Sequence, residues 1–396
     1  MDETRLTALY DDVLDWRNKS LPAASRGRSL ASWLATRPAA ADLETPAVII
    51  DAAALAHNTT AMARWCSDRG LALAPHGKAT MAPQLWRRQL DAGAVGITVA
   101  NAFQAGVARD FGVPRIIVAN EVADPAAIAR LSEWPGRPVA VFADSVAAVD
   151  LLAAAARGPL DVLVELGAPG GRAGARTVAE AADVAERVGL APNLRLAGVA
   201  GYEGAVASGT DAESIATVDD YLGSLAKLYA ALDFETDRPV VTAGGSAYFD
   251  RVAAVLGHLA ADAEVVLRSG SYLVHDHGAY ARWTPPARGG DGPELRPVLT
   301  AHARVLSRPE PGLAILDAGR RDVPFDQDLP IPLALEGAAC TQISDQHLYL
   351  TGAPESLKVG DVVELGLSHP CTSFDKWRLI PVVENGIVVD AIRTFF

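Results

Sequence analysis

Cysteine is scarce in this chain. Three in 396 residues (Cys66, Cys340 and Cys371) are too few for a disulfide framework and fit a reducing compartment. Basic charge is also short, with 35 Lys and Arg against 48 Asp and Glu; the formal net charge of −13 leaves no basic stripe for a nucleic acid. Small acidic metabolites stay in play, because a local basic pocket can sit inside an acidic protein. No run approaches the roughly 18 apolar residues a membrane helix needs. The opening MDETRLTALYDD has neither the basic nor the apolar segment of a signal peptide. A soluble cytoplasmic protein, without nucleic-acid or membrane partners, is the resulting expectation.

What the chain does have is rhythm. Residues 1–45 carry two amphipathic stretches, LTALYDDVLDW and GRSLASWLATR, and read as a helical extension. From residue 46, short apolar runs alternate with Ala-rich helical patterns: PAVIID, LALAP, VGITVA, RIIVAN, PVAVFA, LDVLVEL, LRLAGVAG, PVVTAG and EVVLRSG. Runs apolar throughout, not alternating, suit parallel strands covered on both faces. Helices are expected over 53–68, 82–92, 101–111, 145–156, 177–189 and 211–232. Strand–helix alternation of this length predicts a (β/α)8 barrel over 46–285, with one strand candidate left over; a doubly wound open sheet is the alternative. After the Pro/Gly-rich WTPPARGGDGPELRP the helices stop, and 286–396 reads as a mainly antiparallel β domain closed by an Asn-Gly hairpin in VVENGIVVD.

In such a barrel, chemistry gathers where strands end and loops begin. LALAP runs into His76, Gly77 and Lys78, a costly place for a lysine that is neither paired nor chemically committed. Thr98, Asn101, Asn120, Glu165, Arg172, Tyr202, Glu203 and Arg268 also fall at strand ends. Gly244-Gly245-Ser246 follows a strand and opens a helix, which suits a phosphate. GAPGGRAG resembles a dinucleotide loop, but with the wrong spacing for G-x-G-x-x-G. A strand-end lysine together with a phosphate site points to pyridoxal phosphate (PLP) held as a Schiff base. Near the C-terminus, LSHPCTSFDKW places His369 and Cys371 two residues apart, able to point the same way on an extended segment. Imidazole and thiolate suit a divalent metal, zinc preferred, with manganese or magnesium as alternatives. His347 in SDQHLYL could be a third ligand, a catalytic acid–base group or a strand-end histidine. His275-Asp276-His277 is a rival metal motif.

PHGKATMAP, DAGAVGITVAN, VELGAPGGRAG, TAGGS, LRSGSYLVHD and LSHPCTSFDKW together resemble the D-threonine aldolase and D-serine dehydratase family over roughly residues 44–396. The resemblance implies a fold-type III PLP enzyme with an alanine-racemase-type barrel. It implies that Lys78 carries the cofactor, His76 and Arg172 line it, and Tyr202 faces its ring. Gly244, Gly245 and Ser246 would hold the phosphate with Tyr272 nearby, and His369 and Cys371 would hold a metal beside the substrate's 3-hydroxyl. It further implies a head-to-tail homodimer, and a first strand, residues 46–51, that joins the β domain. Two departures stand out. Ala79 replaces the threonine common after the lysine, and Gln346 replaces an acid where aldolases tend to carry Glu-His-Gly. The expected activity is a PLP- and metal-dependent lyase on a D-3-hydroxy amino acid, foremost a dehydratase giving a 2-oxo acid and ammonia. Retro-aldol cleavage to glycine and an aldehyde is the near alternative; a racemase and a non-catalytic PLP-binding protein are the others.

Overall fold

Strands that are apolar on both sides must be covered on both sides, and in the computed structural model, which describes residues 1–396, they are. Eight short strands make one parallel sheet: β2 (Ala72–Leu73), β3 (Ile97–Val99), β4 (Ile116–Glu121), β5 (Ala140–Ala143), β6 (Leu160–Leu166), β7 (Leu194–Gly201), β8 (Val240–Ala243) and β9 (Glu264–Leu267). Their order is β2-β9-β8-β7-β6-β5-β4-β3. Bonds from Val95 N to Leu73 O (2.8 Å) and from Thr98 N to Pro75 O (3.0 Å) close the seam between β2 and β3, so the sheet is a barrel.

The connecting helices follow the sequence pattern closely: α3 (Ala52–Ser67), α4 (Pro83–Asp91), α5 (Ala102–Asp110), α7 (Val146–Ala155), α8 (Val178–Gly189) and α9 (Ala212–Ala230). Of the others, α6 (Pro125–Ser132) was not expected, whereas α10 (Phe249–Leu256) is the helix that Gly244-Gly245-Ser246 leads into. The first had a signal: Asp124 caps it through Ala126 N and Pro125 sits at its first position. Most helix starts are capped in the same way, and α8 carries a full capping box between Thr177 and Glu180.

The N-terminal 45 residues are less helical than their pattern predicts. Only α1 (Glu3–Ala8) and α2 (Leu30–Leu34) form, between single 3-10 turns. Pro22, Gly27 and Pro38 interrupt any longer helix. The apolar residues are buried all the same: Leu14, Leu21, Leu30, Trp33 and Leu43 pack against Leu379, Val388 and Ala391.

Those last three belong to the second sheet, built from β10 (Leu299–Glu310), β11 (Leu313–Leu316), β12 (Ile331–Pro332), β13 (Ala339–Ile343), β14 (Leu348–Thr351), β15 (Val362–Gly366), β16 (Leu379–Glu384) and β17 (Ile387–Arg393). A ninth strand, β1 (Ala47–Asp51), pairs antiparallel with β10 and parallel with β16, so it lies in this sheet and not in the barrel. Asn385-Gly386, both at positive φ, turn the hairpin between β16 and β17. A short helix, α11 (Ala279–Trp283), leads from the barrel toward this domain.

The barrel interior is layered. At the N-terminal strand ends, Arg115 pairs with Glu264 (2.7 Å) and Arg195 with Asp161 (2.7 Å). Above them lies an apolar layer that includes Ile117, Phe142, Leu163, Ala197 and Val266. Arg268 covers that layer, 5.4 Å over the Phe142 ring, with its guanidinium donating to Thr242 Oγ1 and Gly201 O (both 2.7 Å). The C-terminal strand ends open above it.

Candidate active site

Lys78 sits on a 3-10 turn just past β2, open to solvent at the barrel mouth but surrounded by its wall. Burial lowers its pKa; Cys371 pulls the other way, and Arg172 and Arg268 lower it further. Beside it, burial holds His76 well below the usual histidine range, with Lys78, Arg268 and Arg172 adding to the effect. Its Nδ1 is buried without a partner. Arg172 lies 5.2 Å over the Tyr202 ring. Tyr202 is itself fixed through its backbone N, which donates to Tyr221 Oη (3.0 Å), while Tyr221 donates to Leu166 O.

The expected phosphate cradle needs correction. Gly244 and Gly245 do present their N–H groups together, with Gly244 at φ +97°, but both donate to the buried carboxylate of Glu203, at 3.0 and 2.5 Å. A phosphate cannot share donors already held by an acid. The N–H groups of Ser246 and Ala247, and of Gly270 and Ser271 on the neighbouring loop, donate to nothing within the chain. Ser269 Oγ stitches the two loops together through Gly244 O and Gly245 O (3.0 and 3.1 Å). Gly270 is required there, because a Cβ would lie 2.4 Å from His76 O. Four free amides and the Ser246 hydroxyl fit a phosphate, and a lysine of lowered pKa with a neutral imidazole beside it fits the aldehyde end of PLP.

Tyr272 is a second correction. It is fully buried, and its hydroxyl accepts from Gln89 Nε2 (3.0 Å) behind the barrel wall, so it does not face the site. The tyrosine that does is Tyr280 on α11, which lines a cavity of about 190 Å³ with Tyr202, Ser246, Tyr248, Trp283 and His369. Burial, and then the neighbouring Cys371, raise the Tyr280 phenol well above its usual value.

His369 and Cys371 reach this mouth from the β domain. Cys371 Sγ lies 3.2 Å from Ser271 Oγ and 3.6 Å from Tyr280 Oη. Burial alone would raise the thiol, as it does for Cys66 and Cys340, both pushed up to about 12. In Cys371 the adjacent His369 outweighs burial and the pKa falls. Burial would likewise lower His369, yet Cys371 and Asp326 bring it up to about 9. A histidine and a cysteine side by side in this way can offer nitrogen and sulfur to one divalent metal, which takes the place of their protons, so the pair fits such an ion. No three His, Cys, Asp or Glu side chains converge on a common point, so the protein would supply two ligands.

His275-Asp276-His277 is not a metal motif here. Buried Asp276 accepts four backbone N–H groups, from Gly278, Tyr280, Ala281 and His369 (2.7–3.2 Å), and thereby ties α11 to the His369 loop. His347 keeps, within this chain, the strand-end place that was one of its three readings. It lies exposed on the turn from β13 to β14 and does not line the cavity of its own chain. Thr98, Asn101 and Asn120 serve structure: Thr98 Oγ1 donates to Ala74 O, Asn101 caps α5, and Asn120 donates to Ala100 O. Tyr280, Trp283 and Asp326 were missed. Nothing in GAYARW or PFDQD marks them, since their roles arise only where segments distant in sequence meet.

Comparison with known proteins agrees with this architecture. The alanine racemase N-terminal domain model matches residues 50–274, and the putative serine dehydratase domain model matches residues 298–383. A D-threonine aldolase from Arthrobacter sp is 30% identical over 361 residues, covering 88% of this chain and 92% of its own. A 3-hydroxy-D-aspartate aldolase from Paracoccus denitrificans is 28% identical, covering 88% of this chain and 90% of its own. The crystal structure of D-threonine aldolase from Filomicrobium marinum superposes with a TM-score of 0.79 at 28% identity, over 89% of this chain and 96% of that one. Barrel, lysine and relatives together define a PLP-dependent lyase acting on D-3-hydroxy amino acids. The chain belongs to the D-threonine aldolase and D-serine dehydratase family.

Proposed function

We propose that the chain is a metal-assisted lyase that cleaves a D-3-hydroxy amino acid between Cα and Cβ, releasing glycine and an aldehyde. One observation carries the metal-assisted reading: a lysine from the barrel and a histidine–cysteine pair from the β domain meet at one mouth. The choice of retro-aldol chemistry is supported by relatives named as aldolases at 27–30% identity over 88% of the chain. Dehydration to a 2-oxo acid and ammonia is the second reading, supported by the serine dehydratase domain model over the segment that holds His369 and Cys371.

The same residues serve either course. When bound, PLP would hold the substrate amine and spread the electron pair left on Cα. A divalent metal on His369 and Cys371 would supply Lewis acidity at the 3-hydroxyl. Lys78, with its lowered pKa, moves the proton at Cα: it removes one for dehydration and returns one after retro-aldol cleavage. Arg172 and Tyr202 keep one wall of the site in place, and Tyr280 and Trp283 close the side next to His369. A head-to-tail homodimer belongs to the same proposal, supported by His347 and Phe325 standing exposed on the β domain.

The test is a product assay across D-serine, D-threonine, D-3-phenylserine and D-3-hydroxyaspartate, reading aldehyde, glycine, oxo acid and ammonia together. Aldehyde with equimolar glycine is expected, abolished by a chelator and restored by Mn²⁺ or Zn²⁺. Oxo acid with ammonia replaces this reading by the dehydratase one, and chelator-insensitive turnover removes the metal.

A further inference from the structure

An imidazole that binds a metal through one ring nitrogen needs its other nitrogen held, or the ring can turn and change tautomer. In His369 that holding group is present. Nδ1 lies 2.5 Å from Asp326 Oδ2, while Asp326 Oδ1 accepts from Thr372 Oγ1 at 3.3 Å. Asp326 comes from the loop between β11 and β12, so the contact joins two separate segments of the β domain. The imidazole also lies against Cys371. Asp326 does not converge with His369 and Cys371 on a common point, as a third ligand would.

We propose that Asp326 is a positioning residue for the metal site. It fixes the Nδ1–H tautomer of His369 and presents Nε2, with Cys371 Sγ, to the ion. The assignment rests on the metal-assisted reading above and reaches beyond it, since it names a residue that would touch neither substrate nor metal. Thr372 holds the carboxylate, the carboxylate holds the ring, and Asp276 holds the backbone beneath it (His369 N to Oδ2, 2.7 Å). Ring and tautomer are thus set by one contact, and chain direction by another.

The test measures Zn²⁺ affinity of the PLP-loaded protein by competition with a chromogenic chelator, for wild type, Asp326→Ala and Asp326→Asn. Asp326→Ala should bind Zn²⁺ about 10- to 100-fold more weakly, the range found when such outer partners are removed. Asp326→Asn keeps an oxygen able to accept from Nδ1–H and should recover most of that loss. PLP content and metal-free melting temperature should match wild type in both. Equal affinity in Asp326→Ala overturns the proposal. So does an Asn variant as weak as the Ala one, because charge or direct ligation would then be the role. If wild type itself takes up no Zn²⁺, the metal-assisted reading fails, and this proposal with it.

Discussion

The two ends of the barrel handle charge in opposite ways. At the floor, every buried charge has a partner: Arg115 with Glu264, Arg195 with Asp161. At the mouth, the charged side chains around Lys78 include Arg172 and Arg268 but no carboxylate, His76 Nδ1 has no partner, and two pairs of amides donate to nothing within the chain. Both ends are made of the same eight strands. A parallel barrel needs only one end satisfied for stability, and the unsatisfied end is where ligands can be received.

Lys78→Ala tests the open end most severely. Activity should fall on the order of 10³-fold or more, and the visible absorbance of the lysine-bound cofactor should vanish. Persistence of that band would mean the amine is not the attachment point. At the closed end, Glu264→Ala should leave kcat/KM unchanged. It strands Arg115, which is 6% exposed, and should cost about 3 kcal/mol in chemical denaturation. A kinetic defect without a stability defect would erase the contrast between the two ends.

A third test concerns Glu165, which sits between them. Burial, and then hydrogen bonding to the neighbouring carboxyl of Glu121, raise its pKa from 4.5 to about 8. Between those values the folded protein retains a proton that the unfolded chain has released. Stability must therefore decline as pH rises from about 4.5 toward about 8, and level off above. Glu165→Gln should flatten that part of a melting-temperature profile; an unchanged slope would assign the decline elsewhere. The smallest effect is expected for Tyr272→Phe. Losing the bond to Gln89 should cost about 1 kcal/mol with unchanged kinetics, whereas a marked rise in the PLP dissociation constant would return Tyr272 to the site.

Most of the fold was legible because its signals are local. Apolar runs bounded by turn residues mark all nine early strands, and helix caps mark most of the helices between them. The N-terminal segment was misjudged because its apolar spacing mimics a helix face, while prolines divide it and its partners lie near the other end of the chain. The site was legible where chemistry follows from residue type, as for Lys78, His369 and Cys371. It was not legible where a residue's role depends on which way a side chain turns. Tyr272 and Tyr280 both lie in the segment that follows β9; one turns into the core and the other to the mouth. Glu203 was noticed as a strand-end acid, but its claim on the Gly244 and Gly245 amides is a tertiary fact.

The placement of β1 also bears on how the chain is made. It leaves the ribosome before any barrel strand, yet its two neighbours, β10 and β16, emerge only after the whole barrel has been synthesised. An apolar strand with both edges unpaired must wait through roughly 250 residues of synthesis, sheltered by whatever α3 and the N-terminal segment provide. No single cut separates the two domains, because each barrel terminus is tied to the β sheet. A barrel expressed alone would begin at α3 and lack the site's sulfur and imidazole. A β domain expressed alone would lack its inner strand. A circular permutant that moves residues 1–51 to follow Phe396 would let β1 meet neighbours already made, and should refold with less aggregation than the natural order.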